Sequence, residues 1–202
     1  MKLNIRKFCL LLFCSSFFLF FSCASKPSFE GKGDLCGIII DENNKPVKDF
    51  IVYCKPVNQK FLSQALGPVK TNESGLFVVY GLSAGQYLLS GNKKNYLSLE
   101  PHQYSFEDRT RIICLQTRSY KSALERAGEL AAMGQKKDAE DLLSKISYEK
   151  NSREELYIKA YQFLLSDDKD ERLSILTDLK NNEYQNDSFF MDYTKKLEEM
   201  MK

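Results

Sequence analysis

Residues 71–87 read TNESGLFVVYGLSAGQY, and their punctuation decides the fold. Asn72-Glu73-Ser74-Gly75 is a turn, because Asn and Gly tolerate the positive φ that tight hairpins require. Leu76–Tyr80 is β-branched and aromatic, as strands are. Ser83-Ala84-Gly85 turns the chain again, and Tyr87–Leu89 begins another strand.

The same pattern extends outward on both sides. Leu35–Ile40 and Phe50–Cys54 read as strands separated by the turn Asp41-Glu42-Asn43-Asn44-Lys45-Pro46, and Arg111–Leu115 reads as a last strand. Pro46 cannot donate to a ladder and so suits a strand start. Gly37, Ile39, Asp41, Asn44, Pro46, Phe50 and Val52, followed by Thr71, Gly75, Phe77, Gly81, Leu82, Gly85, Tyr87 and Tyr96, form a pattern that resembles the carboxypeptidase regulatory-like domain. The resemblance implies a transthyretin-like antiparallel β-sandwich over residues 33–117. At Asn44, Asp49 and Asn95 this chain departs from it, since Gly is commoner there.

Several of these strands do not alternate. Ile38, Ile39 and Ile40 are consecutive, as are Phe50–Cys54 and Ile112–Leu115. If Ile39 and Val52 point inward, then Cys36, Ile38 and Ile40 project outward, and leaving each isoleucine in water forfeits ~1.5–3 kcal/mol relative to burial. The expectation is that this outer face is covered, either by the segments after Ser119 or by another protein.

Beyond Ser119 the period becomes helical. Tyr120, Ala123, Leu124, Ala127, Leu130 and Ala131 share one face, and Ala139, Leu142, Leu143 and Ile146 share another, with Gly134 between them. Ser152 and Glu155 stand in capping-box spacing before Leu156, Ala160, Tyr161, Phe163 and Leu164. Leu173, Leu176 and Leu179 mark a fourth helix, and Phe189, Phe190, Tyr193, Leu197 and Met200 a fifth. Residues 120–147 resemble a tetratricopeptide repeat through Ala127, Leu130, Gly134, Ala139 and Leu143. One period of ~34 residues later only Tyr157 and Leu164 match, so a small helical bundle fits equally. The fold class read from the sequence is α+β as two domains: the sandwich of residues 33–117, then an all-α helical-hairpin bundle over 118–202.

The N-terminus sets the compartment. Lys2, Arg6 and Lys7 precede an apolar run from Phe8 to Phe21, interrupted by Cys14, Ser15 and Ser16, that is shorter than the ~20 residues a spanning helix needs. Phe20-Phe21-Ser22-Cys23 resembles a lipobox of the looser form found in spirochaete lipoproteins. The resemblance implies a signal peptide at 1–22, lipidation of Cys23 and a tether at 23–32, with order beginning near Gly33. A plain secretory signal or an uncleaved anchor is the alternative reading. Ala24 after the cysteine favours the outer membrane by analogy, in an extracytoplasmic protein anchored to a bacterial membrane through lipid.

Charge and residue inventory restrict the chemistry. The 202-residue chain has 29 basic and 27 acidic residues, a formal charge of +2, so no whole-chain field points to nucleic acid. His102 is the single histidine, which removes the usual zinc sets, and no GxSxG, Walker A or GxGxxG motif occurs. No cofactor, metal or catalytic residue is therefore assigned, and the chain reads as a non-enzyme. Cys36, Cys54 and Cys114 read as small buried apolar residues, and Asp41–Asn44 as a solvated turn. Lys55–Pro68, with Phe61 and Leu62, is a longer loop, a binding excursion or an extra strand. Tyr157, Tyr161 and Tyr184 line either a groove or the helical core. The functional expectation is a lipid-anchored adaptor that meets a protein partner through Cys36, Ile38, Ile40, Phe61 and Leu62. The alternative is a structural component of the envelope.

Overall fold

The computed structural model describes residues 29–57, 66–181 and 188–201. The signal segment, Cys23, Phe61, Leu62 and Tyr184 lie outside the described residues. The architecture is α+β, with a sandwich-like pair of sheets followed by helices. In chain order the strands are β1 (Lys32–Ile40), β2 (Ile51–Pro56), β3 (Val69–Lys70), β4 (Leu76–Ser83), β5 (Gly85–Asn92), β6 (Tyr96–Leu97), β7 (Leu99–Phe106) and β8 (Ile112–Gln116). Helices α1 (Tyr120–Ala132) and α2 (Lys136–Ser144) lead to a short β9 (Ile146–Ser147). Then come α3 (Arg153–Leu165), α4 (Lys169–Lys180) and α5 (Ser188–Glu199).

One sheet has the order β4-β1-β8 and the other β3-β2-β5-β7. Their inner faces share a core of Leu35, Ile39, Phe50, Val52, Phe77, Leu82, Leu89 and Phe106, as two half-buried sheets packed face to face must. Ile39 and Val52 do point inward, so the period of two runs through the triple isoleucine. Thr71 ties β2 to the turn before β4: its buried hydroxyl donates to the Val47 carbonyl at 2.6 Å and accepts from the Phe50 N–H at 2.8 Å. Asn72 Oδ1 accepts from the N–H groups of Ser74 at 2.9 Å and Leu76 at 3.0 Å, which closes the turn before β4. Asn44, Asp49 and Asn95 have φ of 59°, 54° and 66°. These are the three departures from the glycine pattern, and Asn and Asp are the residues that best tolerate that region after Gly.

The sequence reading needs correction at several places. The sandwich is not wholly antiparallel: β8 runs parallel to β1, pairing Cys36 with Ile112 and Ile38 with Cys114. The chain leaves β7 in one sheet and crosses to the other before β8, which frees it from hairpin geometry. β7 was hidden because Glu100, Pro101, His102 and Gln103 are all exposed, a composition that an edge strand permits. His102 is a strand-edge imidazole. Strand β1 includes Lys32, and Phe29 before it packs on Phe106 with ring centroids 5.0 Å apart. Of the three cysteines only Cys54 is buried; its thiol is pushed up to about 12 by burial, while Cys36 is half-buried and Cys114 exposed.

Two apolar clusters organise the helices. Ala123, Ala127, Ala139, Leu143, Ile146, Ile158 and Leu165 form one, and Leu156, Ala160, Phe163, Leu176, Leu179, Phe190 and Leu197 the other. Helix α3 contributes to both, so its apolar residues spread around it instead of keeping one stripe. That is why Ile158 and Leu165 are buried while Leu164 is 41% exposed. Leu173 and Met200 are likewise exposed, and Ile146 belongs to β9, not to α2. The Ser152 hydroxyl accepts from the Glu155 N–H at 3.2 Å, as the capping spacing predicts. Glu155 reaches back one residue further than expected, to the Asn151 N–H at 2.5 Å.

Helices and sheets meet at one end of the sandwich. There β6 pairs with β9, Thr117 Oγ1 donates to the Leu97 carbonyl at 2.7 Å, and the Tyr120 N–H donates to the Asn95 carbonyl at 2.9 Å. Glu42, from the turn after β1, accepts both the Ser119 N–H at 2.9 Å and the Ser119 hydroxyl at 2.6 Å, tying the start of α1 to the sandwich. Partial burial works against its charge, but the Ser119 hydrogen bonds and nearby Arg118 outweigh that and hold its carboxyl below the ordinary 4.5. A depressed folded-state value means that the stabilisation is complete above the ordinary value and is lost as pH falls through the folded one. Thermal unfolding followed from about pH 6 to about pH 3 is therefore expected to show a destabilisation in the acid range that Glu42→Gln reduces. An identical acid profile in the variant contradicts this role.

Candidate functional site

The outer face of the β4-β1-β8 sheet is built by register. Cys36 lies between Val78 and Ile112, and Ile38 between Leu76 and Cys114, so successive rows across three strands carry apolar or thiol side chains. Ile40 continues the face opposite Gln116. Tyr80 is 70% exposed, Ile112 63% and Leu76 41%, whereas Cys36, Ile38, Ile40 and Val78 are half-buried among their neighbours. These positions alternate with the inward Leu35, Gly37 and Ile39, so a single periodicity builds the core and the outer patch together.

The other sheet shows what an ordinary outer face looks like in this molecule. Its rows carry Lys55, Leu88 and Gln103, then Gln86 and Ser105. Gln86 Nε2 donates to Ser105 Oγ at 2.9 Å and Gln103 Nε2 donates to Gln86 Oε1 at 3.2 Å, so these groups satisfy one another at the water boundary. That face mixes Ile51, Tyr53 and Leu88 with Lys55, Gln86, Ser90 and Gln103, whereas the rows of β4-β1-β8 from Cys36 to Ile38 carry only apolar or thiol side chains. Contiguous exposed apolar surface of this kind marks interaction sites in soluble proteins.

Among the described residues the helical apolar clusters do not include Cys36, Ile38 or Ile40. Among the described residues the helical clusters draw on the strands only through Leu97 and Ile146, at the end of the sandwich. The three residues of the sequence reading are brought together on this face, and Phe61 and Leu62 fall outside the described residues. The sequence reading missed Leu76, Val78, Tyr80 and Ile112 as members of the face. The alternation of Leu76, Val78 and Tyr80 with the inward Phe77 and Val79 was the available signal.

Two of the three helical tyrosines lie among the described residues. Tyr161 is half-buried and packs against the first helical cluster beside Gly128, where an added Cβ would stand 3.8 Å from its ring. Tyr157 is 39% exposed. Among the described residues no group of three or more His, Cys, Asp or Glu side chains is placed to hold a metal ion.

No family model matches the chain, and no curated protein matches it. Among solved structures, similarity is found to the major pilin subunit of Bacillus cereus, at 18% identity and a TM-score of 0.34 over 44% of this chain and 28% of that one. It is found also to the group B streptococcus pilus 2b backbone protein, at 15% identity and a TM-score of 0.36 over 44% of this chain and 41% of that one. An (S)-allantoin synthase gives 14% identity and a TM-score of 0.36 over 45% of this chain and 42% of that one. The chain spans less than half the length of each of these proteins. Such scores carry no argument for what the chain does.

Proposed function

We propose that the chain is a non-enzymatic, lipid-anchored protein of the bacterial cell envelope that binds another protein through the outer face of β4-β1-β8. The observation that carries this reading is the uninterrupted apolar surface of β4-β1-β8, which offers Tyr80, Ile112 and Leu76 to solvent beside Ile38 and Cys36. Burial of such side chains by a partner is worth ~25 cal/mol per Å² of apolar surface before the costs of association are met. The anchor is the lipid on Cys23, with residues 1–22 as its signal peptide and the outer membrane as its site.

The sandwich over 33–117 is read as a carboxypeptidase regulatory-like module. Positive φ at Asn44, Asp49 and Asn95, where that pattern places glycine, supports it. The helices over 118–202 are read as a second, repeat-like module, supported by the successive packing of α1 on α2 and α3 on α4. A photo-crosslinking residue at position 112 in intact cells tests the adaptor reading. One predominant protein adduct is expected. A ladder of many envelope proteins instead would favour a structural component without a dedicated partner.

A further inference from the structure

The point at which the chain enters the sandwich is clamped. Phe29 packs edge-on against Phe106, at 5.0 Å between centroids and 73° between planes, and the Arg109 guanidinium lies over the Phe29 ring, 4.3 Å from its centroid. Arg109 also donates to the Glu30 carbonyl, and its aliphatic stem fills the space beside Gly33, where an added Cβ would meet Cγ at 2.9 Å. The clamp sits at one end of the strands. Lys32 pairs with Ser83, and Gly85 pairs with Phe106, so the β4–β5 turn and the β7–β8 loop are at the same end.

The helices are at the other end. β1 and β8 run parallel away from the clamp and finish at Ile40 and Gln116, beside Glu42, Thr117 and Ser119, where α1 begins. Eight residue steps of β1 at ~3.3 Å separate the two ends by about 26 Å. From Cys23 to Phe29 there are six residue steps, which reach at most about 20 Å when fully extended.

We infer that the clamp end of the sandwich, formed by the β4–β5 turn and the β7–β8 loop, is the surface facing the lipid bilayer, and that the strands hold the helices away from it. The inference rests on the lipid anchor proposed above. A tether shorter than the sandwich cannot lay the helical end on the membrane as readily as the clamp end, because the clamp fixes where the tether emerges. Among the described residues charge does not compete with this geometry: Lys32, Lys55, Arg109 and Arg111 at that end are offset by Glu30, Asp34, Glu107 and Asp108, so they supply no strong attraction to anionic lipid that would turn the molecule. The apolar face of β4-β1-β8 then stands beside the bilayer normal, open to a partner approaching from the side.

The test uses the full-length lipidated protein in vesicles of phosphatidylcholine and phosphatidylglycerol. With Cys36 and Cys114 replaced by Ser, a fluorescent donor is placed by Thr110→Cys in one variant and by Ser74→Cys, in the turn at the opposite end, in another. Energy transfer to an acceptor lipid is expected to be about twofold or more greater from position 110 than from 74, given the separation of one strand length. Equal or reversed transfer in protein that floats with the vesicles overturns the orientation and leaves the anchor intact. Protein that does not float overturns the anchor, and the orientation falls with it.

Discussion

Cys23→Ser is expected to move the full-length protein from the detergent-rich to the aqueous phase and to abolish incorporation of acyl label. Each buried CH₂ of an acyl chain contributes about 0.8 kcal/mol, so one chain holds a protein reversibly and several hold it durably. Loss of the sulfur removes every chain attached through it and also the processing step that depends on it. No helix among the described residues is long and apolar enough to cross a membrane, so those residues supply no spanning segment to mask the effect. Partitioning and labelling that match those of the unaltered protein would remove the anchor from the account.

Gly37→Val is expected to destabilise the sandwich by about 3 kcal/mol or more, at the upper end of what overpacking a core costs. An added Cβ there would stand 2.3 Å from Phe77 Cζ and 2.7 Å from Ile113 Cγ1, and both neighbours are buried. Neither ring nor branched chain can retreat without disturbing the opposite sheet, because β1 is the central strand between β4 and β8. Gly67→Ala serves as the control: nothing lies within 4 Å of its added Cβ, and a change within about 0.5 kcal/mol is expected. Chemical denaturation of both variants measures the difference. A Gly37 variant as stable as the Gly67 one would show that the sheets pack differently from the arrangement described here.

The parts of the fold legible from the sequence are those fixed by local rules. Gly75 and Asn72 announce the turn before β4, and the φ > 0 positions at Asn44, Asp49 and Asn95 can be anticipated from residue type and resemblance together. The alternation that sends Ile39 inward and Ile38 and Ile40 outward follows once one inward residue is known. Long-range choices were not legible. Nothing near Glu42 signals that it meets Ser119, 77 positions away, because an acidic turn residue in solvent and one capping a distant helix look alike in sequence. β7 carries Pro101 and three polar neighbours, so its membership in the sheet comes from pairing with β5 and not from its own propensity. In α3 a single helix serves two cores, which blurs the period on which burial predictions depend.

For the candidate face the same distinction holds. Cys36, Ile38 and Ile40 could be named from one strand, whereas Leu76, Val78 and Ile112 join them only through the antiparallel and parallel registers of β1. The identification of the face as a patch is thus a product of topology. Its apolar character is a product of sequence.

The most direct test of the central claim is the yield of the in-cell crosslink in a Leu76→Lys, Tyr80→Lys variant, with the photo-crosslinking residue kept at position 112. Leu76 and Tyr80 are both exposed and stand four positions apart on β4, so the purified variant is expected to keep its unfolding midpoint to within a few degrees, while two desolvated charges at the contact reduce the adduct at least about tenfold. An undiminished adduct from a folded variant would contradict the assignment of this face as the contact.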